Sequence, residues 1–430
     1  LDDAWGHTRL GTDDGAGAPV RLQVHDPRFY RALALAGSVG AGDAYGDGLW
    51  RCDDLVGLVR LLVRNRDLLD AMETGTARLG GAALRAWHAL RENTRAGARR
   101  NIAAHYDLGN DFFGLFLSPD LMYSSALWAD GDTLEQASTR KLDTVCRKLG
   151  LGPGQHLLEI GTGWGGLALH AARHYRCQVT TTTISREQYE LACARVAGAG
   201  LQERVTVLQR DYRDLEGRYD RVVSIEMIEA IGARWQETYF ARIGALLAPD
   251  GLALVQAITI EDHRYAQALA AVDFIKRHVF PGSFIPSIQA MLAAKTRAGD
   301  LQLVHLEDFG LSYARTLHAW RTRFLEARDQ ARALGYDERF LRLWEFYLAY
   351  CEGGFRERSI GVSHLLLARP DARPPRSDRT IAITLPARSG KCVSSQARNS
   401  GATSCGSRTG RKYAPLAPAS AARSIRCSTS

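Results

Sequence analysis

From residue 156 to residue 260, short runs rich in apolar or β-branched residues alternate with stretches of helical period. Runs at 156–160, 177–183, 204–208, 220–225 and 252–260 read as strands. Helical patterns fill 134–149, 165–175, the stretch after Ser185 and Arg234–Leu247. Ser185 with Gln188 has the form of a capping box, and Pro249-Asp250-Gly251 is a turn signal. Strands alternating with helices predict an α/β chain with a doubly wound, mostly parallel, Rossmann-like sheet. Ligands of such sheets sit beyond the carboxyl ends of the strands.

The flanks differ in pattern. Residues 1–92 read as a small N-terminal accessory domain, with a strand at Val20–Val24 and a turn-rich stretch at 42–48. A helix capped by Asp53-Asp54 carries a broad apolar face from Leu55 to Val63, with Arg60, Arg64 and Arg66 beside it. Packing within its own domain is the first expectation for that helix; an anionic membrane surface is the second. The basic run from Arg78 to Arg100 reads as a linker or solvated helix face, and attraction to acidic headgroups is its alternative. Residues 101–128 mix aromatic and polar groups, as a pocket lining or a packed loop would. Residues 93–370 form the main domain. It includes a helical insert at 263–278, a long helical pair at 315–353 and a last strand at 359–369. Residues 371–430, rich in Ser, Arg, Ala, Pro and Gly, are expected to be a disordered basic tail, to which no function is assigned.

Composition changes this picture little. The 430 residues are 46% hydrophobic and 24% charged, as in a globular protein. The formal charge of +8 suggests a nucleic-acid partner until it is located. Residues 371–430 hold 11 Lys and Arg against 2 Asp and Glu, so the rest of the chain is nearly neutral and a nucleic-acid partner loses its support. The chain starts at Leu1 and reads as a fragment or a processed form. No apolar run is long enough to span a bilayer, so membrane contact is expected to be peripheral. Its 8 cysteines are scattered with no C-x-x-C, which argues against a metal site and fits a reducing, cytoplasmic compartment.

The candidate chemistry centres on Leu157-Leu158-Glu159-Ile160-Gly161-Thr162-Gly163-Trp164-Gly165-Gly166. This is a strand, a glycine-rich turn and the start of a helix. Alone, such a loop serves many nucleotides or none. A nicotinamide enzyme would carry an acid at the end of the second strand, but that strand ends Thr181-Thr182-Thr183-Ile184. The loop also lacks the Lys-Ser/Thr of a P-loop. S-adenosylmethionine is the better candidate, because its sulfonium and ammonium suit an anionic, backbone-rich site.

The ordered motifs give a more specific reading. They are Asn101-Ile102-x-x-His105-Tyr106-Asp107-x-Gly109-Asn110, Tyr123-Ser124, the glycine loop, Thr183-Ile184-Ser185-x-x-Gln188, Asp211-Tyr212-Arg213-Asp214, Phe280-Pro281-Gly282 and Ala319-Trp320. Over residues 40–369 the chain resembles the cyclopropane-fatty-acyl-phospholipid synthases and mycolic acid methyltransferases. The resemblance implies methyl transfer from S-adenosylmethionine to the cis double bond of an unsaturated phospholipid acyl chain, giving a cyclopropane. It implies cofactor contacts from Tyr123, Ser124, Glu159, Ile160, Gly161, Gly163, Trp164, Gly165, Thr183, Gln188, Asp211 and Tyr212. It also implies a cytoplasmic enzyme peripherally associated with the inner face of the membrane, with a homodimer allowed.

Methyl transfer to an alkene leaves a carbocation, which aromatic faces can stabilise; Tyr123, Trp128, Phe284 and Tyr313 are candidates. The resemblance implies a bound bicarbonate as the base that then removes a proton, held by Ser125, Glu229, Gln256, Ile258 and Tyr313. Two of these depart from the family pattern: Ser125 stands for a Cys and Gln256 for a His. Both can hydrogen-bond an anion, but Gln cannot take up a proton as His can. The resemblance therefore leaves open whether bicarbonate binds, and whether the ring closes or a methyl or methylene branch results. Cys351 matches a cysteine assigned in the family as a nucleophile; a buried structural cysteine is the competing role. Two further readings stand beside the leading one: a methyltransferase of small soluble molecules, and a membrane-surface module without catalysis.

Overall fold

The computed structural model describes residues 1–11, 19–66 and 108–374. The motif at 101–107, the basic run at 78–100 and the tail from 375 lie outside the described residues. The main sheet has seven strands in the order β10-β11-β9-β8-β5-β6-β7. They are β5 (His156–Ile160), β6 (Gln178–Thr183), β7 (Val205–Gln209), β8 (Tyr219–Ile225), β9 (Leu247–Ile260), β10 (Gln302–Asp308) and β11 (Ile360–Ala368). β7, β6, β5, β8 and β9 are parallel neighbours; β11 and β10 add an antiparallel edge. The chain builds outward from β5 to β7, then returns to β8 on the other side. The switch point thus lies between β5 and β8, where a ligand crevice is expected.

The central strands carry apolar residues on both faces because both are covered. One face buries Leu157, Val179 and Leu254 with Leu142 and Val145 of α4 (Leu134–Lys148). The other buries Leu158, Val222 and Val255 against Tyr239 and Ile243 of α7 (Gln236–Leu246). A third core, rich in aromatic rings, joins α3 (Asn110–Gly114) to α10 (Gly310–Glu326) and α12 (Glu338–Arg356). Between α10 and α12 lies the short α11 (Arg328–Ala333).

The N-terminal segment packs on the same helices. β1 (Asp2–Asp3), β2 (Gly6–His7), β3 (Leu22–Val24) and β4 (Trp50–Cys52) make a small sheet. α1 (Arg28–Gly46) and α2 (Leu55–Arg64) lie against α12. Asp54 caps α2 by accepting from Gly57 N at 2.8 Å. Arg60 and Arg64 both bind Glu357, at 2.6 and 2.8 Å, and Arg66 pairs with Glu261 at 2.6 Å. The basic side chains of this helix thus have partners within the protein.

Four local expectations need correction. Of the glycines at 42–48, Gly48 makes a turn at φ +75°, whereas Gly42 and Gly46 lie in helix and serve packing. α1 continues to Gly46, and a Cβ on Gly42 would lie 2.3 Å from Phe274 Cδ2. The insert at 263–278 is not one helix: α8 (Tyr265–Ala270) stops at an extended Ala271, and a π-turn follows at Ile275–Val279. β10 was not foreseen, because its alternating exposed positions are those of a polar edge strand. Ser185 caps α6 (Arg186–Gly198), but the Gln188 side chain bonds Thr183 instead of closing the box.

Candidate active site

The glycine loop leaves β5 at the switch point. Gly161, Gly163 and Gly165 take φ of +102°, +51° and +85°, which side chains with a Cβ rarely adopt. Gly161 N and Thr162 N both donate to Thr182 O, at 3.0 and 2.9 Å, tying the loop to the end of β6. Gly165 makes the turn into α5 (Gly166–His170). Glu159 is buried and accepts from Thr181 Oγ1 at 2.6 Å; burial pushes its pKa up to about 8. Trp164 Nε1 donates to Asn110 Oδ1 at 2.6 Å, and its ring packs on Phe113.

Around the loop, Thr183 Oγ1 donates to Gln188 Oε1 at 2.8 Å. Asp211 pairs with Arg213 at 2.6 Å. The Tyr212 hydroxyl is buried without a hydrogen-bond partner among the described residues. Tyr123 and Tyr347 join their hydroxyls at 2.9 Å. Ser124 Oγ accepts from the buried Lys141 Nζ at 3.0 Å. Burial lowers the Lys141 pKa to about 8, while Glu226, Asp120 and Glu159 oppose that shift. Tyr123, Ser124, Glu159, Ile160, Gly161, Gly163, Trp164, Thr183, Gln188, Asp211 and Tyr212 line one cavity of about 730 Å³; Gly165 does not. A cationic ligand fits this wall, because buried Glu159 gains a counter-charge and the Tyr212 hydroxyl a partner.

The same cavity continues past the end of β8 to a pair of buried carboxyls. Glu226 follows β8 directly, with φ +47°, a left-handed conformation that favours glycine and costs a glutamate about 1 kcal/mol. Its Oε1 accepts from Ser125 N at 2.9 Å and from Gln256 Nε2 at 2.7 Å. Its Oε2 accepts from the Tyr313 hydroxyl at 2.7 Å. Glu229 Oε1 accepts from Ile258 N at 2.5 Å, while its Oε2 has no hydrogen-bond partner among the described residues. Burial raises the pKa of both carboxyls, and the three donors on Glu226 oppose the rise there. Glu229 is pushed to about 8 by burial and then by the charge of Glu226. The environments differ: three donors favour the charged form of Glu226, whereas burial and the neighbouring Glu226 charge hold the proton on Glu229.

The five positions expected to hold bicarbonate are thus brought together, but around a side chain the sequence reading had passed over. Glu226, Glu229, Ile258, Tyr313 and Cys351 line the cavity. Ser125 and Gln256 are fully buried and lie off its wall, both donating to Glu226. A signal was present, since Glu226 stands at the carboxyl end of a central strand, where ligands of such sheets gather. Cys351 is half-buried on the cavity wall, and desolvation there drives its thiol pKa far above the ordinary value, which opposes a nucleophilic thiolate. Tyr123, Phe284 and Tyr313 face the cavity; Trp128 does not, and its Nε1 donates to Thr316 Oγ1 at 2.9 Å.

Comparison with known proteins places this geometry. Residues 93–365 match the family model described as mycolic acid cyclopropane synthetase. The chain belongs to that family. It is 38% identical to the tuberculostearic acid methyltransferase of Mycobacterium tuberculosis over 371 residues, covering 84% of this chain and 86% of the relative. It is 36% identical to the cyclopropane-fatty-acyl-phospholipid synthase of Escherichia coli K12 over 371 residues, 84% of this chain and 91% of that one. A solved mycolic acid cyclopropane synthase, complexed with SAH and CTAB, superposes with a TM-score of 0.59 at 31% identity. That superposition covers 63% of this chain and 98% of the solved one. The family and the doubly wound methyltransferase fold are those expected from the motifs.

In this member of the mycolic acid cyclopropane synthetase family, the cavity runs on from the carboxyl pair to an apolar wall. Leu33 of α1, Leu58 and Leu62 of α2 and Ala268 of α8 line it. Most of the lining is apolar, as a hydrocarbon ligand requires. No helix among the described residues is long and apolar enough to cross a membrane.

Proposed function

We propose that this S-adenosylmethionine-dependent methyltransferase adds a methyl group to the cis double bond of an unsaturated acyl chain carried by a membrane phospholipid. We propose further that Glu226 is the base completing the reaction. The observation that carries this reading is the Glu226 carboxylate itself, bonded to Ser125 N, Gln256 Nε2 and the Tyr313 hydroxyl. A side chain thereby engages three of the five positions expected to hold a bicarbonate and brings its own carboxylate, so this reading needs none.

S-adenosylmethionine, when bound, supplies an electrophilic methyl group. Glu159, Thr183, Gln188 and Tyr212 would hold it on the glycine-loop side of the cavity. Leu33, Leu58, Leu62 and Phe284 would enclose the acyl chain and exclude water, which would otherwise capture a carbocation. Tyr123 and Tyr313 offer aromatic faces to the developing cation. Glu226 supplies negative charge beside it and takes one proton. Loss of that proton from the added methyl, with its C–H electrons closing onto the cationic carbon, gives the cyclopropane. Glu229 stays protonated beside Glu226, so the pair carries a single negative charge. Cys351 is proposed as wall packing only.

The second reading is a branched product. The donors on Glu226 fix its position, so its reach decides which proton leaves. A hydride shift to the first cationic carbon, followed by proton loss from the methyl group, yields a methylene branch. The tuberculostearic acid methyltransferase among the relatives motivates this outcome. Mass spectrometry of phospholipid acyl chains from cells expressing the protein tests both readings. A cyclopropane is expected; a methylene or methyl branch as sole product replaces it with the second reading, and unmodified chains refute both.

A further inference from the structure

Behind Glu226 a row of polar side chains crosses three strands. Glu307 of β10 stands opposite His364 of β11, and His364 stands opposite Gln256 of β9. Gln256 in turn is registered with Ile225 of β8, the residue before Glu226. Residues directly opposed across strands project from the same sheet face. Lys148, at the end of α4, reaches into the row from the helix covering that face.

The contacts are continuous. Lys148 Nζ donates to Glu307 Oε2 at 2.6 Å and lies 2.9 Å from His364 Nδ1. His364 Nε2 lies 2.9 Å from Gln256 Oε1, and Gln256 Nε2 donates to Glu226 Oε1 at 2.7 Å. His364 and Gln256 are completely buried. An ammonium has donors and no acceptor, so the Nδ1 facing it must carry the lone pair. The imidazole proton then sits on Nε2 and is donated to the Gln256 carbonyl oxygen. That leaves the amide N–H₂ facing Glu226.

We infer that Lys148, acting through His364, sets the orientation of the Gln256 amide and so keeps Glu226 a carboxylate poised to accept a proton. Lys148 and His364 are positioning residues. The inference rests on the reading of Glu226 as the base. With the ammonium removed, the imidazole is free to carry its proton on Nδ1. Its Nε2 lone pair would then face the Gln256 oxygen, the amide would turn over, and its carbonyl would face the carboxylate. The charged and titratable groups around His364 are Lys148 and Lys141 from α4 and His305 and Glu307 from β10, with the Phe309 ring against the imidazole. Burial and the two lysines hold the ring neutral, as a directional relay of hydrogen bonds requires.

The test compares the full chain with its Lys148→Met, Lys148→Arg and Glu226→Gln variants. Two quantities are read: turnover on vesicles of unsaturated phospholipid, and the tautomer of His364 from its imidazole ¹⁵N shifts. The wild type is expected to show the Nε2–H form. Lys148→Met is expected to populate the Nδ1–H form and to lower kcat about tenfold at unchanged KM for S-adenosylmethionine. Lys148→Arg keeps a cationic donor and is expected to restore the tautomer and most of the turnover. An Nδ1–H or doubly protonated His364 in the wild type overturns the inference without any variant. So does wild-type kcat in Lys148→Met alongside an inactive Glu226→Gln, a result that leaves the base assignment standing. Full activity in Glu226→Gln instead removes the base assignment, and the inference with it.

Discussion

Glu226 and Glu229 stand at the same end of β8 in opposite surroundings: among the described residues Glu226 accepts three hydrogen bonds, whereas Glu229 accepts one and keeps a buried oxygen without a partner. Two buried carboxyls this close do not both ionise, and the hydrogen-bond donors decide which one does. Replacement should therefore have unequal effects. Glu226→Gln removes the proton acceptor and should lower kcat by about 10²–10⁴, with calorimetric affinity for S-adenosylmethionine nearly unchanged. Glu229→Gln keeps an acceptor for Ile258 N and stays neutral like the protonated acid, so its loss should be smaller, about tenfold. Equal losses in the two variants would contradict the division of roles.

Burial of Glu159 has a consequence for cofactor binding. Its pKa of about 8 leaves it mostly protonated near neutral pH before the cofactor arrives. A cation in the adjoining cavity lowers that pKa, so binding should release a proton. Calorimetry in two buffers of different ionisation heat should detect the release, and Glu159→Gln should abolish it. The same shift sets a pH trend in stability. Glu159 and Glu229 are raised from 4.5 to about 8, so between those values the folded chain holds more protons than the unfolded one. Their contribution to stability is whole below 4.5 and is lost as pH rises toward 8. Melting of the cofactor-free protein should follow that decline, and Glu159→Gln should flatten it.

Cys351 offers a separate test. The half-buried side chain lies on the cavity wall near Tyr313 and Tyr347, and desolvation raises its pKa far above the ordinary value. Cys351→Ser should keep turnover within about threefold of wild type, with any loss traceable to packing. Loss of two or more orders of magnitude, with folding intact, would restore a covalent role.

Gly42 reports on how the N-terminal segment joins the cavity-bearing core. A Cβ there meets the Phe274 ring at 2.3 Å, and Phe274 is fully buried. Gly42→Ala should destabilise the protein by about 1–3 kcal/mol, read as a lower denaturant midpoint. An unchanged midpoint would mean that α1 and Phe274 can move apart freely.

Local pattern carried much of the fold. The buried strands β5, β8 and β9 are legible as short apolar runs, and β6 as a β-branched run of Val179 and four threonines. β10 was not, since an edge strand pairs on one side and its exposed positions look like a loop. Gly42 was read as a turn residue because sequence shows glycine's freedom, not the ring pressing on it. Glu226 was missed for a similar reason. Its partners come from positions 125, 256 and 313, so only the folded sheet reveals that they converge.

The central claim is that Glu226 replaces an external base, and bicarbonate depletion tests it most directly. Turnover on unsaturated phospholipid vesicles would be measured in carbonate-free buffer and again with added bicarbonate, for the wild type and for Glu226→Ala. The wild type is predicted to run equally fast in both buffers, while Glu226→Ala is inactive without bicarbonate and partly rescued by it. A wild type that stops when bicarbonate is removed would contradict the account.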